Sequence, residues 1–152
     1  MITFREYLKQ VSGSQQSEVN EAVNIETLQQ SGVNYIVCKT LALAAQVHIW
    51  HLLAKSGQKH TALGTFYTAL ETEVDGLAEK FLAIGGILGD YSYVFVSTYS
   101  DVDITIAIRD FRDEVSNTIA NVKLDSNLES ILDSLTDLQE AIDNFSYQFK
   151  LD

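Results

Sequence analysis

Proline occurs nowhere in the 152 residues, and no glycine follows Gly89. Proline breaks helix interiors because it lacks an N–H and its ring strikes the preceding turn, and a helical glycine costs about 1 kcal/mol relative to alanine. A chain without the first, and with its last third free of the second, is expected to be mostly helical. Glycine instead concentrates in the middle, from Gly57 to Gly89.

Periodicity divides the chain. An apolar helical pattern runs from about Ile25 to Lys55 and stops at Ser56-Gly57. A second runs from about His60 to Ile84, with Leu63, Phe66, Leu70, Val74, Leu77 and Phe81 on one stripe, and ends at Gly85-Gly86. The stretch "ILGDYSYVFVSTYS" alternates with period two, but a lone strand has no partner, so it reads as an extended connection. A third helix is expected from about Val102, with Ile104, Ile108, Phe111, Val115, Ile119 and Val122 three and four apart. A fourth follows a capping-box signature at Ser126 and Glu129, with Leu128, Leu132, Leu135, Leu138, Ile142 and Phe145 on its apolar face. Residues 1–24 read as an amphipathic turn and a Ser/Gln-rich linker, and residues 25–152 as one all-α domain, a four-helix bundle. A second helix of about 36 Å and a connection reaching about 50 Å allow helices 2 and 3 to run parallel, joined by a long crossover.

Hydrophobic residues make up 46% of the chain, which argues against disorder. Net charge is −11, and neither end is basic: Arg5 and Lys9 face Glu6, Glu18, Glu21 and Glu26, while Lys150 stands alone among seven acids after Leu124. Nucleic-acid binding, which needs Lys and Arg to displace phosphate counterions, is disfavoured, and cations are the expected charged partners. The single cysteine, Cys38, excludes an intrachain disulfide, fits a reducing compartment and reads as a small buried hydrophobe. With no signal-peptide pattern and no apolar run of membrane-spanning length, the expected setting is soluble and cytoplasmic.

All three histidines, His48, His51 and His60, lie within "VHIWHLLAKSGQKH". They are either amphipathic side chains at a helix turn or half of a metal site. On the second helix His60, Glu71, Asp75 and Glu79 fall within roughly a 100° arc, a pattern also ordinary for a solvated face. His60 and Asp75 stand roughly 22 Å apart along the helix axis, too far to share an ion within one chain. A site joining the histidines to the acids therefore needs a second chain across a two-fold axis, the commonest contact between identical chains. The in-bundle di-iron pattern draws on Glu-x-x-His, which the sequence lacks. Glu129, Asp133, Asp137 and Glu140 form a further acidic stripe on the last helix, either a solvated face or the lining of a cavity.

From His48 to Gly86 the chain resembles the core of the Dps proteins, a ferritin-like family. The resemblance rests on a histidine near a tryptophan (His48, Trp50), a second histidine twelve residues later (His60), and "DGLAEKFLAIGG", which supplies Asp75, Glu79 and a Gly-Gly stop. It implies a ferritin-like four-helix bundle with the long crossover between helices 2 and 3. It further implies an inter-subunit iron site made by His48 and His60 of one chain with Asp75 and Glu79 of its mate. The implied chemistry is ferroxidase activity, oxidation of Fe(II) by peroxide or oxygen, with ferric storage in a hollow dodecamer; imidazole and carboxylate ligands suit Fe(II).

The sequence also departs from that family. Gly64 stands where an acidic ligand is usual, Ile49 separates His48 from Trp50, and His51 has no counterpart. Glu71, one turn before Asp75, is the candidate replacement carboxylate, and His51 is a lesser candidate ligand. The crossover is short, and no basic tail supports DNA binding. The alternative is a ferritin-like structural or interaction protein that keeps the assembly without the oxidase. The opening "MITFREYLKQ" resembles the amphipathic N-termini of proteins packaged into the heads of tailed phages, although a docking helix is the simpler account.

Overall fold

The computed structural model describes residues 24–89 and 91–150, which form five helices and no strand. These are α1 (Ile25–Gln30), α2 (Val33–Leu53), α3 (Gly57–Ala83), α4 (Asp101–Val122) and α5 (Glu129–Phe149). The expectations for residues 1–23 lie outside the described residues.

One helix was expected from Ile25 to Lys55, and the structure breaks it at Ser31-Gly32. The Ser31 hydroxyl donates to the Leu28 carbonyl at 2.6 Å, satisfying an end group of α1. Gly32 then adopts φ +88°, a left-handed conformation that side chains resist, and a Cβ there would meet Thr118 of α4 at 3.1 Å. Elsewhere polar side chains start the helices. Asn24 accepts from the N–H groups of Glu26 and Thr27, Ser56 from that of Lys59, and Ser100 from that of Asp103. The expected capping box at Ser126 does not form. Asp125 accepts from the Asn127 N–H at 2.9 Å and winds Ser126–Leu128 into a 3-10 turn, so α5 starts only at Glu129.

The apolar stripes on α3, α4 and α5 are buried nearly residue for residue as the spacing predicts, with Leu132 half-buried. Burying each large aliphatic or aromatic side chain contributes about 1.5–3 kcal/mol, and together these stripes form one core with the buried side of α2. Helix α2 is, among the described residues, the one helix long and apolar enough to cross a membrane on length and composition, a correction to the sequence reading. In this fold its Val33, Ile36, Val37, Leu43, Val47 and Trp50 face the core. Cys38 is half-buried rather than buried, its thiol donating to Asn34.

Polar contacts fix how the helices lie. Lys80 of α3 donates to Ser134 of α5 at 2.6 Å, and Phe66 stacks on Phe145 at 4.2 Å, so α3 and α5 run in opposite directions. Lys59 at the start of α3 pairs with Asp101 at the start of α4 at 2.6 Å. Between them, residues 86–89 and 91–99 carry no helix. Gln46 of α2 holds this stretch at two points, donating to the Val96 carbonyl at 2.7 Å and accepting from its N–H at 2.6 Å. The Trp50 indole donates to the Thr98 carbonyl at 3.2 Å.

Lys39 of α2 binds both Glu114 of α4 and the Tyr35 hydroxyl. Burial pulls its pKa down, but hydrogen bonds to Glu114 and Tyr35 outweigh burial and raise it above the usual 10.5. Because the folded value exceeds the unfolded one, the pair stabilises fully below pH 10.5 and that stability fades as pH rises through the folded value. Lys39→Met should cost about 1.5–3 kcal/mol in urea unfolding at pH 7, the worth of hydrogen bonds to a charged group. Equal stability of variant and parent would remove the pair from the account.

Candidate metal centre

The turn between α2 and α3 brings two of the three histidines into contact. His51, in the last turn of α2, and His60, in the first turn of α3, stack with ring centroids 3.8 Å apart. His51 Nδ1 lies 2.7 Å from the His60 carbonyl, and His60 Nδ1 lies 2.9 Å from the His51 carbonyl. A carbonyl oxygen only accepts, so Nδ1 carries the proton in both rings. In the neutral rings the lone pair then falls on Nε2, the tautomer that metal-ligating histidines show when their other nitrogen donates to a carbonyl.

His48 stacks instead on Tyr67 of α3, centroids 4.3 Å apart and planes within 12°, and its ring lies 6.0 Å from that of His51. The expected pair was His48 and His60; the direct ring contact to His60 comes from His51. Gly64 explains the room for it. A Cβ at position 64 would lie 3.0 Å from His51 Cε1 and 3.1 Å from Nδ1, so the imidazole occupies the space a side chain there would fill. His51, expected only as a lesser candidate ligand, is half-buried and in contact with the His60 ring. Spacing alone did not reveal this, but a helical glycine four residues after a histidine was a signal.

Glu71, Asp75 and Glu79 are exposed along α3. The helix is continuous from Gly57 to Ala83, so Asp75 stays roughly 22 Å along the axis from His60. Among the described residues, no three His, Cys, Asp or Glu side chains are gathered to hold an ion. Trp50 is buried with its indole on the connecting segment.

Sequence reasoning missed Tyr67 and also Glu73, half-buried on α3. Glu73, with Asp137 and Glu140 of α5, lines a cavity of about 370 Å³ floored by Phe66 and Phe145. Burial, reinforced by the Asp137 charge, raises the Glu73 pKa above the usual carboxylate range. Glu129, Asp133, Asp137 and Glu140 are all exposed in the single chain.

Comparison of the chain with protein-family models, curated proteins and solved structures returned no match.

Proposed function

We propose that the chain is a ferritin-like iron protein of Dps type, binding and oxidising Fe(II) at sites shared between two copies and storing the ferric product. The observation that carries this reading is the histidine cluster, with two imidazoles turned so that Nε2 is free to ligate. Asp75 and Glu79, too distant within one chain, would come from a mate across a two-fold axis, with Glu71 as the further carboxylate. Iron enters as substrate. Two Fe(II) ions each give up one electron, peroxide takes both, its O–O bond breaks, and the hydroxide formed goes to the hydrolysing ferric product.

The side-by-side starts of α3 and α4 support a ferritin-like four-helix bundle in which residues 84–100 are the long crossover. Ile87, Tyr91, Val94, Phe95 and Val96 on that stretch are large and exposed, which favours a homo-oligomer, taken as a dodecamer, over a lone chain. A second reading, an assembly that has lost the oxidase, draws on the lack of a three-donor group among the described residues of one chain.

Native mass spectrometry before and after anaerobic Fe(II) addition tests both. A closed oligomer gaining about one or two irons per chain supports the inter-subunit site. A closed oligomer that ignores iron favours the structural reading, and a monomer that ignores iron removes both.

A further inference from the structure

We infer that residues 2–11 of the chain dock as an amphipathic helix in the groove between α3 and α5, with Arg5 and Lys9 against Asp137 and Glu140, whether or not the chain handles iron.

The groove suits an apolar face with a basic edge. Its floor is the stacked pair Phe66 and Phe145, and its rim carries Glu73, Asp137 and Glu140. Among the described residues, no lysine, arginine or histidine forms an ion pair with these three acids. Burial and the charge of Asp137 raise the Glu73 pKa, so a cation placed there relieves a repulsion. From Ala62 to Glu73 the groove runs about 16 Å along α3.

The stretch "ITFREYLKQV", residues 2–11, matches it in length and in charge. Wound as an α-helix it spans about 15 Å and puts Phe4, Tyr7, Leu8 and Val11 within roughly a 100° arc, the spacing of a core-facing stripe. Arg5 and Lys9 flank that arc one turn apart, as Asp137 and Glu140 stand one turn apart on α5, and Glu6 falls on the far side. Exposed ion pairs contribute little, so the apolar floor supplies the holding force and the charges select the groove. The groove between α4 and α5 shows that selection, because Arg109, Arg112 and Lys150 line it against Asp143 alone and would repel the same segment.

The connection is long enough. Asn34, near the start of α2, holds the Gly89 backbone past the end of α3 at 3.3 and 3.5 Å, so α1 leads in at that end of the bundle. Glu73 lies about 15 Å back along α3 from Ala83, α1 adds about 9 Å, and crossing one helix adds about 10 Å. Residues 12–23 reach about 40 Å when extended. A tether of that length gives an effective concentration on the order of millimolar, which keeps a groove of modest affinity filled by its own chain.

Zero-length carbodiimide cross-linking of the intact protein, with isotopically light and heavy chains refolded together, tests the assignment. Lys9 should join to Glu73, Asp137 or Glu140 within chains of one isotope. Hydrogen exchange read by mass spectrometry should show the amides of residues 4–11 slowed about tenfold or more relative to a free peptide of that sequence. Arg5→Glu with Lys9→Glu should abolish the protection, and adding Asp137→Lys with Glu140→Lys should restore it, the helicity of the bundle being unchanged throughout. Exchange as fast as in the free peptide, or Lys9 joined only to other carboxylates, overturns the inference. Joins to the same acids only between light and heavy chains overturn it as well, and seat the segment on a second copy. Protection that survives the charge reversal overturns the pairing with α5.

Discussion

On the proposed two-chain site, coexpressing a His60→Ala chain with an Asp75→Ala chain, each inert by itself, should restore about one quarter of the Fe(II) oxidation of the parent protein. The fraction follows from symmetry. Random pairing makes half the dimers mixed. In a mixed dimer one site receives both defects, and the other takes its imidazoles from the Asp75→Ala chain and its acids from the His60→Ala chain. That second site is intact. A site confined to one chain would show no recovery at any mixing ratio, because every chain is missing one component. Stopped-flow oxidation of Fe(II) by peroxide reads the result directly, and zero recovery would end the inter-subunit proposal. The distance on the continuous α3 helix is what forces this design.

Phe81→Ala should destabilise the fold by about 3–5 kcal/mol in urea unfolding, with an unchanged slope. The ring is fully buried at the end of α3, where the chain turns back beneath it. The Gly86 N–H donates to the Phe81 carbonyl at 2.9 Å, and a Cβ on Gly86 would collide with the ring itself. Gly86→Ala should therefore cost about 1–3 kcal/mol, since a ring packed on all sides cannot swing away. The double variant should lose less than the two costs combined, because the methyl added at position 86 enters space vacated by the ring. Additive losses, or a loss near zero for Phe81→Ala, would contradict this packing.

What was legible from sequence depended on contrast between faces. On α3, α4 and α5 polar residues flank each apolar stripe, so a period of about 3.6 identified the buried positions. Helix α2 is apolar on nearly every side, and nothing in its periodicity distinguished core-facing Val47 from the exposed Leu41 and Leu52. The break at Gly32 carried a signal of its own, since Gln29-Gln30-Ser31-Gly32 interrupts the apolar pattern with the same Ser-Gly pair that ends it at Ser56-Gly57. Ser126 and Glu129 had the right spacing for a capping box, but Asp125 competed for the chain one residue earlier.

The site was legible only in outline. Clustering of His48, His51 and His60 could be read directly, as could the distance to Asp75. Which rings meet depends on the bend through Ala54–Ser56, where the chain leaves helical geometry, and helical spacing gives no information across such a bend. His51 therefore changed from a peripheral candidate to the ring nearest His60.

The way the connecting stretch is fastened bears on how the chain assembles. Helices α2 and α3 are joined by a short turn, as are α4 and α5, so each pair can zip from neighbouring residues. Partners far apart in sequence fasten the connection to the first hairpin and the hairpins to each other: Gln46 with Val96 at a separation of 50, and Tyr35 with Glu114 at 79. Closing loops of that length costs entropy before any contact repays it, so docking of the hairpins is the expected slow step. Gln46→Ala should then slow refolding more than its loss of equilibrium stability suggests. One amide side chain, bonded to both backbone groups of Val96, fastens the connection that leads the chain from one hairpin to the other.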